Sequence, residues 1–423
     1  MPTLNRRDFI AGTAASVALA STVTGACLSA NDTVVVALMG ANSRGSQLAR
    51  QIADIPGIEI AYVCDPDEHA IGLGIEAATA KGGRKPTGIK DFRKALEDPA
   101  IDALICAAPN HWHAPATLLA CDAGKHVYVE KPCSHSAAEG EMMIAAAVDN
   151  KKVVQVGMQR RSEPVYRKAV EKVRGGALGK ELYANSWYHR ERPSIGRGKK
   201  VKPPEWLDFD LWQGAATPQP YRDNLLHYNW HYFWHWGDGE LGNNGVHTID
   251  ICRWALGVDF PARVTVAGSK LRFDDDQQTP DTINATFECD GKIISWSAVS
   301  WSPPYAVDGD VGIEIRGEDG IMTLGDRGFT IYDNDRKVVE EFKAPSDGNH
   351  HLKNFASAVR EGATPNAGVV DGHRSALLCH LGNISYRTGA SLEIDSKTGR
   401  IKGNDAAQKH WALEYRDGWL PKA

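Results

Sequence analysis

A basic excess, a Cys-x-x-Cys pair and an internal repeat are all missing from these 423 residues. Lysine and arginine number 48 against 53 aspartates and glutamates, for a net charge of -5. Nucleic-acid binding usually leaves a basic footprint, so no such partner is expected. The cysteines are scattered at positions 27, 64, 106, 121, 133, 252, 289 and 379. That spacing suggests neither a disulfide framework nor a zinc site, and several of these thiols sit in apolar runs as core residues do. Long hydrophobic runs are missing too. No segment after the first thirty residues has the roughly 18 consecutive apolar residues of a membrane span. What remains is an ordinary globular balance, 42% hydrophobic and 24% charged, in a chain long enough for two or three domains.

The first residues read as a leader. Arg6-Arg7-Asp8-Phe9-Ile10 opens a short run of small and apolar residues ending near Ala26. The paired arginines resemble the twin-arginine export motif, so residues 1–31 are expected to be a signal segment and the protein periplasmic. Thr24-Gly25-Ala26-Cys27 loosely matches a lipoprotein cleavage site. It would make Cys27 a lipid anchor, although the large aliphatic residue usual three positions earlier is missing.

Behind the leader, strand and helix alternate. Residues 33–39 form an apolar, β-branched run that stops at Gly40, and further strands are expected at 58–64, 103–108, 126–130 and 153–157. Helical patterns lie between them. This alternation predicts a doubly wound parallel sheet, a Rossmann domain over residues 32–157. Beyond it the composition shifts. Residues 193–240 are rich in Pro, Gly, Trp and His, and residues 262–345 alternate apolar and polar positions between turns. A second α+β domain with a large open, mainly antiparallel sheet is therefore expected over 158–423, its last helices packing back on the first domain.

Gly40-Ala41-Asn42-Ser43-Arg44-Gly45 follows the first strand and opens a helix. It keeps the first and third glycines of G-x-G-x-x-G, with Asn42 in place of the second. Such a loop cradles a pyrophosphate on a helix N-terminus, and Asn tolerates unusual backbone angles better than most residues. Asp65, at the end of the second strand, suits the ribose hydroxyls and repels a 2′-phosphate. NAD is expected over NADP, with Arg44 as the group that could meet a phosphate.

Three further stretches carry a resemblance: Ala108-Pro109-Asn110-His111-Trp112-His113, Glu130-Lys131-Pro132, and the run from Gly237 to Asp250 containing Asn243 and His247. Together with the glycine loop they resemble the glucose–fructose oxidoreductase / inositol dehydrogenase (Gfo/Idh/MocA) family. The resemblance implies a Rossmann domain, a C-terminal α/β domain, NAD(P) and a sugar, inositol or polyol substrate. It also implies a catalytic set falling on Lys131, Asn243 and His247. Many relatives carry Asp where this chain has Asn243. An amide cannot exchange a proton at neutral pH, so His247 would act without that neighbour, or Asp238 or Glu240 would assist.

The residues themselves allow this chemistry. Lys131 sits at a strand's carboxyl end, where open α/β sheets bind ligands, and its ammonium could hold a reacting oxygen. His247 has the side chain best suited to take a hydroxyl proton near neutral pH. A helix over 243–256 would put Asn243, His247 and Asp250 on one face. Pro109, Asn110, His113, Glu130 and Gln159 are expected around the cofactor. Arg160, Tyr188, His189, His231 and Trp234 are expected around the substrate. His227, His231 and His235 could form a metal face on one helix, but the aromatic rings between them favour a sugar-stacking wall and no metal. The expected function is an exported oxidoreductase that interconverts a sugar hydroxyl and ketone with tightly retained NAD. The alternative is an NAD-dependent glycosidase or lyase working by transient oxidation and elimination. A homodimer or tetramer is expected.

Overall fold

The computed structural model describes residues 33–303 and 311–419. The expected leader and Cys27 lie outside these residues. Six strands form the first sheet: β1 (Val34–Met39), β2 (Ile58–Cys64), β3 (Thr87–Ile89), β4 (Ala103–Cys106), β5 (His126–Val129) and β6 (Val154–Val156). They run parallel in the order β3-β2-β1-β4-β5-β6. Every residue of β4 and β6 is buried. That is why these strands read as continuous apolar runs: helices cover both faces of a parallel sheet. The covering helices include α1 (Ser43–Ala53), α2 (Glu68–Thr79), α3 (Asn110–Asp122) and α4 (Ala137–Asp149). Helix α4 starts on a capping box in which Ser136 and Glu139 satisfy each other's backbone N–H groups, so two of its orphan donors are paired. Strand order reverses between β1 and β4, so a crevice opens at their carboxyl ends.

The second sheet has ten strands, among them β8 (Arg263–Ser269), β9 (Thr282–Cys289), β12 (Gly320–Gly325), β13 (Gly328–Asp333), β14 (Val338–Lys343), β15 (Leu392–Ile394) and β16 (Ile401–Lys402), in the order β14-β13-β12-β11-β7-β10-β9-β8-β15-β16. Its centre is β7 (Glu181–His189), which pairs parallel with β10 (Lys292–Val299) and antiparallel with β11 (Val311–Gly317). The remaining pairings are antiparallel. Burial alternates along β7, as expected for a sheet with one covered face. Helices α5 (Pro164–Arg174) and α6 (Val246–Leu256) pack against each other, and α6 also packs on β7. Both expected sheets are therefore present.

Two later helices, α7 (His350–Glu361) and α8 (Val369–Thr388), return to the first domain. Leu352, Phe355 and Val359 of α7 share a buried cluster with Val36 and Ile105 of β1 and β4, and α8 packs on α4. The stretch between β7 and α6 is largely irregular but has its own small core. Leu207, Phe209, Trp212, Tyr221, Phe233 and Trp236 bury one another there. This explains its aromatic content: a long irregular segment holds one shape only if it encloses apolar surface.

Candidate active site

The glycine loop is built by steric necessity. Gly40 has φ +81°, and a Cβ on it would lie 2.5 Å from the Ala108 backbone nitrogen. A Cβ on Gly45 would strike the Gly40 carbonyl oxygen. Asn42 differs from expectation. Its φ of -71° is ordinary, so the position needs no glycine freedom, and its side chain forms no cap on α1. The start of α1 thus keeps backbone donors for a pyrophosphate.

Asp65 accepts from Ala41 N–H at 2.7 Å and from Asp67 N–H at 2.9 Å. Burial pushes its carboxyl up to about 6 despite those two bonds. Each oxygen keeps a second lone pair, and Asp65 lines the cleft.

The cleft encloses about 1020 Å³, including its open mouth. Gly40, Asn42, Ser43, Arg44 and Asp65 line one end. Pro109, Asn110, His113, Glu130, Lys131 and Asn243 line the rest. Glu130 is buried, yet its pKa is lowered. Burial alone would raise it, and the Arg44 guanidinium 2.8 Å away together with the Lys131 ammonium overcomes that. Gln159 stands behind Glu130, donating to its Oε1 at 2.9 Å and to the Tyr128 hydroxyl at 3.2 Å. It holds a carboxylate in place and is not part of the cleft wall. The ring nitrogens of His113 lie 2.6 Å from the Pro132 carbonyl oxygen and 2.8 Å from that of Ala108. His113 therefore ties the Glu-Lys-Pro turn to the loop after β4.

Lys131 crosses to the second domain. Its Nζ donates to the Asn243 backbone oxygen at 2.7 Å and to Asn243 Oδ1 at 3.1 Å. Asn243 sits in a single π-helical turn, Leu241–Gly245, that leads into α6. Such turns often mark functional sites. The expected shared face of Asn243, His247 and Asp250 is not formed. Asp250 points away and makes a bidentate, buried pair with Arg161, 2.8 Å at its shortest. His247 is half-buried and is not among the residues lining the cleft. Burial, then the nearby cations Lys131, Arg160 and Arg44, hold its pKa well below the usual histidine value.

The carboxylates considered as helpers are engaged elsewhere. Asp238 faces His380 at 3.5 Å, whose other ring nitrogen lies 3.1 Å from Ser134 Oγ. All three residues are buried, so this Ser-His-Asp arrangement ties the Glu-Lys-Pro turn to the entrance of α6. Glu240 pairs with Arg192 at 3.4 Å and accepts from Tyr232 and Asn244.

Residues 227–236 do not form one helix. Only a 3-10 turn over Asn229–Tyr232 is present. His227 pairs with Asp67 at 2.7 Å, His231 bonds the Tyr228 carbonyl oxygen, and His235 bonds that of Thr217. Among the described residues no cluster suited to a metal ion exists. Tyr228 and Trp230 face the cleft; Trp212 borders it while belonging, with Phe233 and Trp236, to the local core. Trp234 is not at the substrate end. It lies 6.2 Å from the Tyr386 ring, under the Arg387 guanidinium. Arg160 also turns away, to Asp326 at 3.2 Å. Tyr188 accepts from Arg192 at 2.6 Å, and His189 lies against Ser297. The aromatic density of this stretch was visible in the sequence; which rings face the cleft was not.

A Rossmann sheet with a glycine loop, a ribose carboxylate at β2 and a lysine at β5 facing a second domain defines a two-domain dinucleotide-dependent oxidoreductase. The chain belongs to the Gfo/Idh/MocA oxidoreductase family: residues 34–158 match its NAD-binding Rossmann fold and residues 187–420 its C-terminal alpha/beta domain. Scyllo-inositol 2-dehydrogenase (NAD(+)) of Bacillus subtilis (strain 168) is 25% identical over 377 residues, 85% of this chain and 96% of its own length. Levoglucosan dehydrogenase in complex with NADH shares the fold at TM-score 0.69 and 18% identity, covering 86% of this chain and 100% of that one. An aldose-aldose oxidoreductase from Caulobacter crescentus complexed with glycerol gives 0.67 at 18% identity, with the same coverages of 86% and 100%.

Proposed function

We propose that this protein interconverts a hydroxyl and a ketone on a sugar or sugar derivative, using an NAD that it retains between turnovers. The observation that carries this reading is one continuous cleft. It runs from the glycine loop, past Lys131 and Asn243, to the rings of Trp212, Tyr228 and Trp230. The dinucleotide supplies the hydride acceptor and donor. Gly40, Gly45 and the start of α1 hold its pyrophosphate, and Asp65 its ribose. Lys131 holds the reacting oxygen and stabilises negative charge on it. Aromatic faces stack on the apolar C–H surface of a sugar. The names of the inositol and levoglucosan relatives support the substrate class.

Retention is supported by the irregular segment before α6, which closes over the loop after β2. Glu68 N–H donates to the Trp206 carbonyl oxygen at 3.1 Å and Asp208 N–H to that of Pro66 at 3.0 Å. Above them Trp206 lies 4.9 Å from the His69 ring and 6.2 Å from the His227 ring. We further propose that Arg6-Arg7 directs export of the folded, loaded protein to the periplasm, and that it assembles as a dimer or tetramer. Retention removes the need for free NAD outside the cytoplasm. Among the described residues no helix is long and apolar enough to cross a membrane.

The test is a panel of sugars, inositols and anhydrosugars added to the purified protein without free NAD. A rise in reduced-dinucleotide absorbance supports the reading. Release of nitrophenol from a nitrophenyl glycoside with no such rise would favour the elimination route instead.

A further inference from the structure

A dehydrogenase of this kind needs one group that exchanges the substrate's hydroxyl proton, and Asn243 cannot be that group. His247 is poorly placed for it. It is half-buried, does not line the cleft, and its cationic neighbours oppose an imidazolium. Tyr228 presents a hydroxyl next to Asn243. It lines the cleft beside Lys131 and Asn243 and is 47% exposed.

The hydrogen bonds fix the direction of its proton. A lysine ammonium only donates, so the contact from Lys131 Nζ sets Asn243 Oδ1 toward the lysine. The Asn243 amide nitrogen then faces Tyr228, 3.4 Å from its hydroxyl oxygen. That nitrogen donates, so the phenol accepts there and its own hydrogen stays free for a ligand. An aspartate at 243 would accept from both Lys131 and Tyr228 and would tie that hydrogen up. The asparagine that departs from the family pattern thereby releases Tyr228.

We propose that Tyr228 is the proton-exchanging catalytic residue of this protein, with Asn243 as its positioning residue and Lys131 holding the substrate oxygen. This rests on the hydroxyl–ketone reading above. In reduction, hydride from the dinucleotide adds to the carbonyl carbon while the carbonyl oxygen takes the Tyr228 proton, leaving a phenolate. In oxidation, the phenolate takes the hydroxyl proton as the C–H electron pair leaves as hydride.

The groups facing Tyr228 suit this exchange. The Arg192 guanidinium lies 5.1 Å from its ring centre and stabilises the phenolate. Glu240 behind Arg192 opposes it, Tyr188 and Tyr232 flank that pair, and the His231 ring packs edge-on with its centre 4.5 Å from that of Tyr228. Burial, then Glu240, raises the Tyr228 pKa above its ordinary value. Oxidation should therefore climb with pH into the alkaline range, whereas reduction should stay flat until Tyr228 ionises.

The experiment uses the loaded protein and a sugar that reduces its bound dinucleotide. Tyr228→Phe should lower the rate at least about a hundredfold, abolish the alkaline climb, and leave the amount of bound dinucleotide unchanged. Asn243→Asp should move that climb to higher pH. Ultraviolet difference titration of wild type against Tyr228→Phe should show one late tyrosinate lost. Unchanged turnover and pH profile in Tyr228→Phe would overturn the assignment, as would loss of the climb in His247→Asn alone. If no sugar reduces the bound dinucleotide of the wild type, the hydroxyl–ketone reading itself fails, and the role given to Tyr228 fails with it.

Discussion

Lys131 Nζ lies 2.7 Å from the backbone oxygen and 3.1 Å from the side-chain oxygen of Asn243, a residue 112 positions away in the sequence. The contact joins the end of β5 to the entrance of α6, so the first domain's ligand and the second domain's wall meet at one ammonium. Burial lowers the Lys131 pKa, and Glu130 beside it works in the opposite direction. Lys131→Ala should cut turnover at least about a hundredfold, the usual scale for losing a group that handles charge on the reacting oxygen. Steady-state rates on the loaded protein check this. An unaltered rate would remove Lys131 from the chemistry.

Asp65 should make dinucleotide binding depend on pH. Its folded pKa of about 6 lies above the ordinary 3.8, so the carboxyl is protonated over a window where an exposed aspartate is ionised. Ribose hydroxyls donate to the ionised form and favour it. NAD affinity should therefore be full above pH 6 and fall below it, by at most about tenfold per unit. Titration calorimetry on protein stripped of nucleotide, across that range, measures the slope. Asp65→Asn should flatten it and weaken the preference for NAD over NADP.

The pair between His227 and Asp67, 2.7 Å apart, closes the irregular segment over the loop after β2. His227→Ala and Asp67→Ala should each speed the loss of bound dinucleotide on dialysis. The ratio of nucleotide to protein absorbance, followed over time, reports it. Equal retention in both variants would show that the segment does not hold the ligand.

Asp250 should matter for stability and not for nucleotide preference. It and Arg161 are both almost fully buried, with side-chain exposures of 1% and 5%. Removing Asp250 takes away the bidentate partner and leaves the buried Arg161 only Asp371, 3.1 Å away. Asp250→Ala should cost about 3 kcal/mol, the low end for breaking a buried pair, in urea or thermal unfolding.

Much of the dinucleotide half was legible because its signals are local. A β-branched run ending in Gly40, a glycine at 45 and an aspartate at the next strand's end describe one βαβ unit, and sterics leave little choice at either glycine. Lys131 and Asn243 could be named because short motifs surround them. The second half was less legible because its geometry is set at long range. His227, His231 and His235 have helical spacing, yet the chain takes a single 3-10 turn there, and each histidine finds a different partner. Trp230 and Trp234 are chemically alike in sequence; packing sends one to the cleft and the other to Tyr386. Asp250 looked like a neighbour of His247 because helix periodicity cannot show that Arg161, on another element, claims it.

The most direct test of the account is to unfold the purified protein and identify what it releases by mass spectrometry. The expected result is stoichiometric NAD or NADH, with the reduced form increasing when a substrate sugar is added beforehand. Recovery of no nucleotide, together with no binding of added NAD to the folded protein, would contradict it.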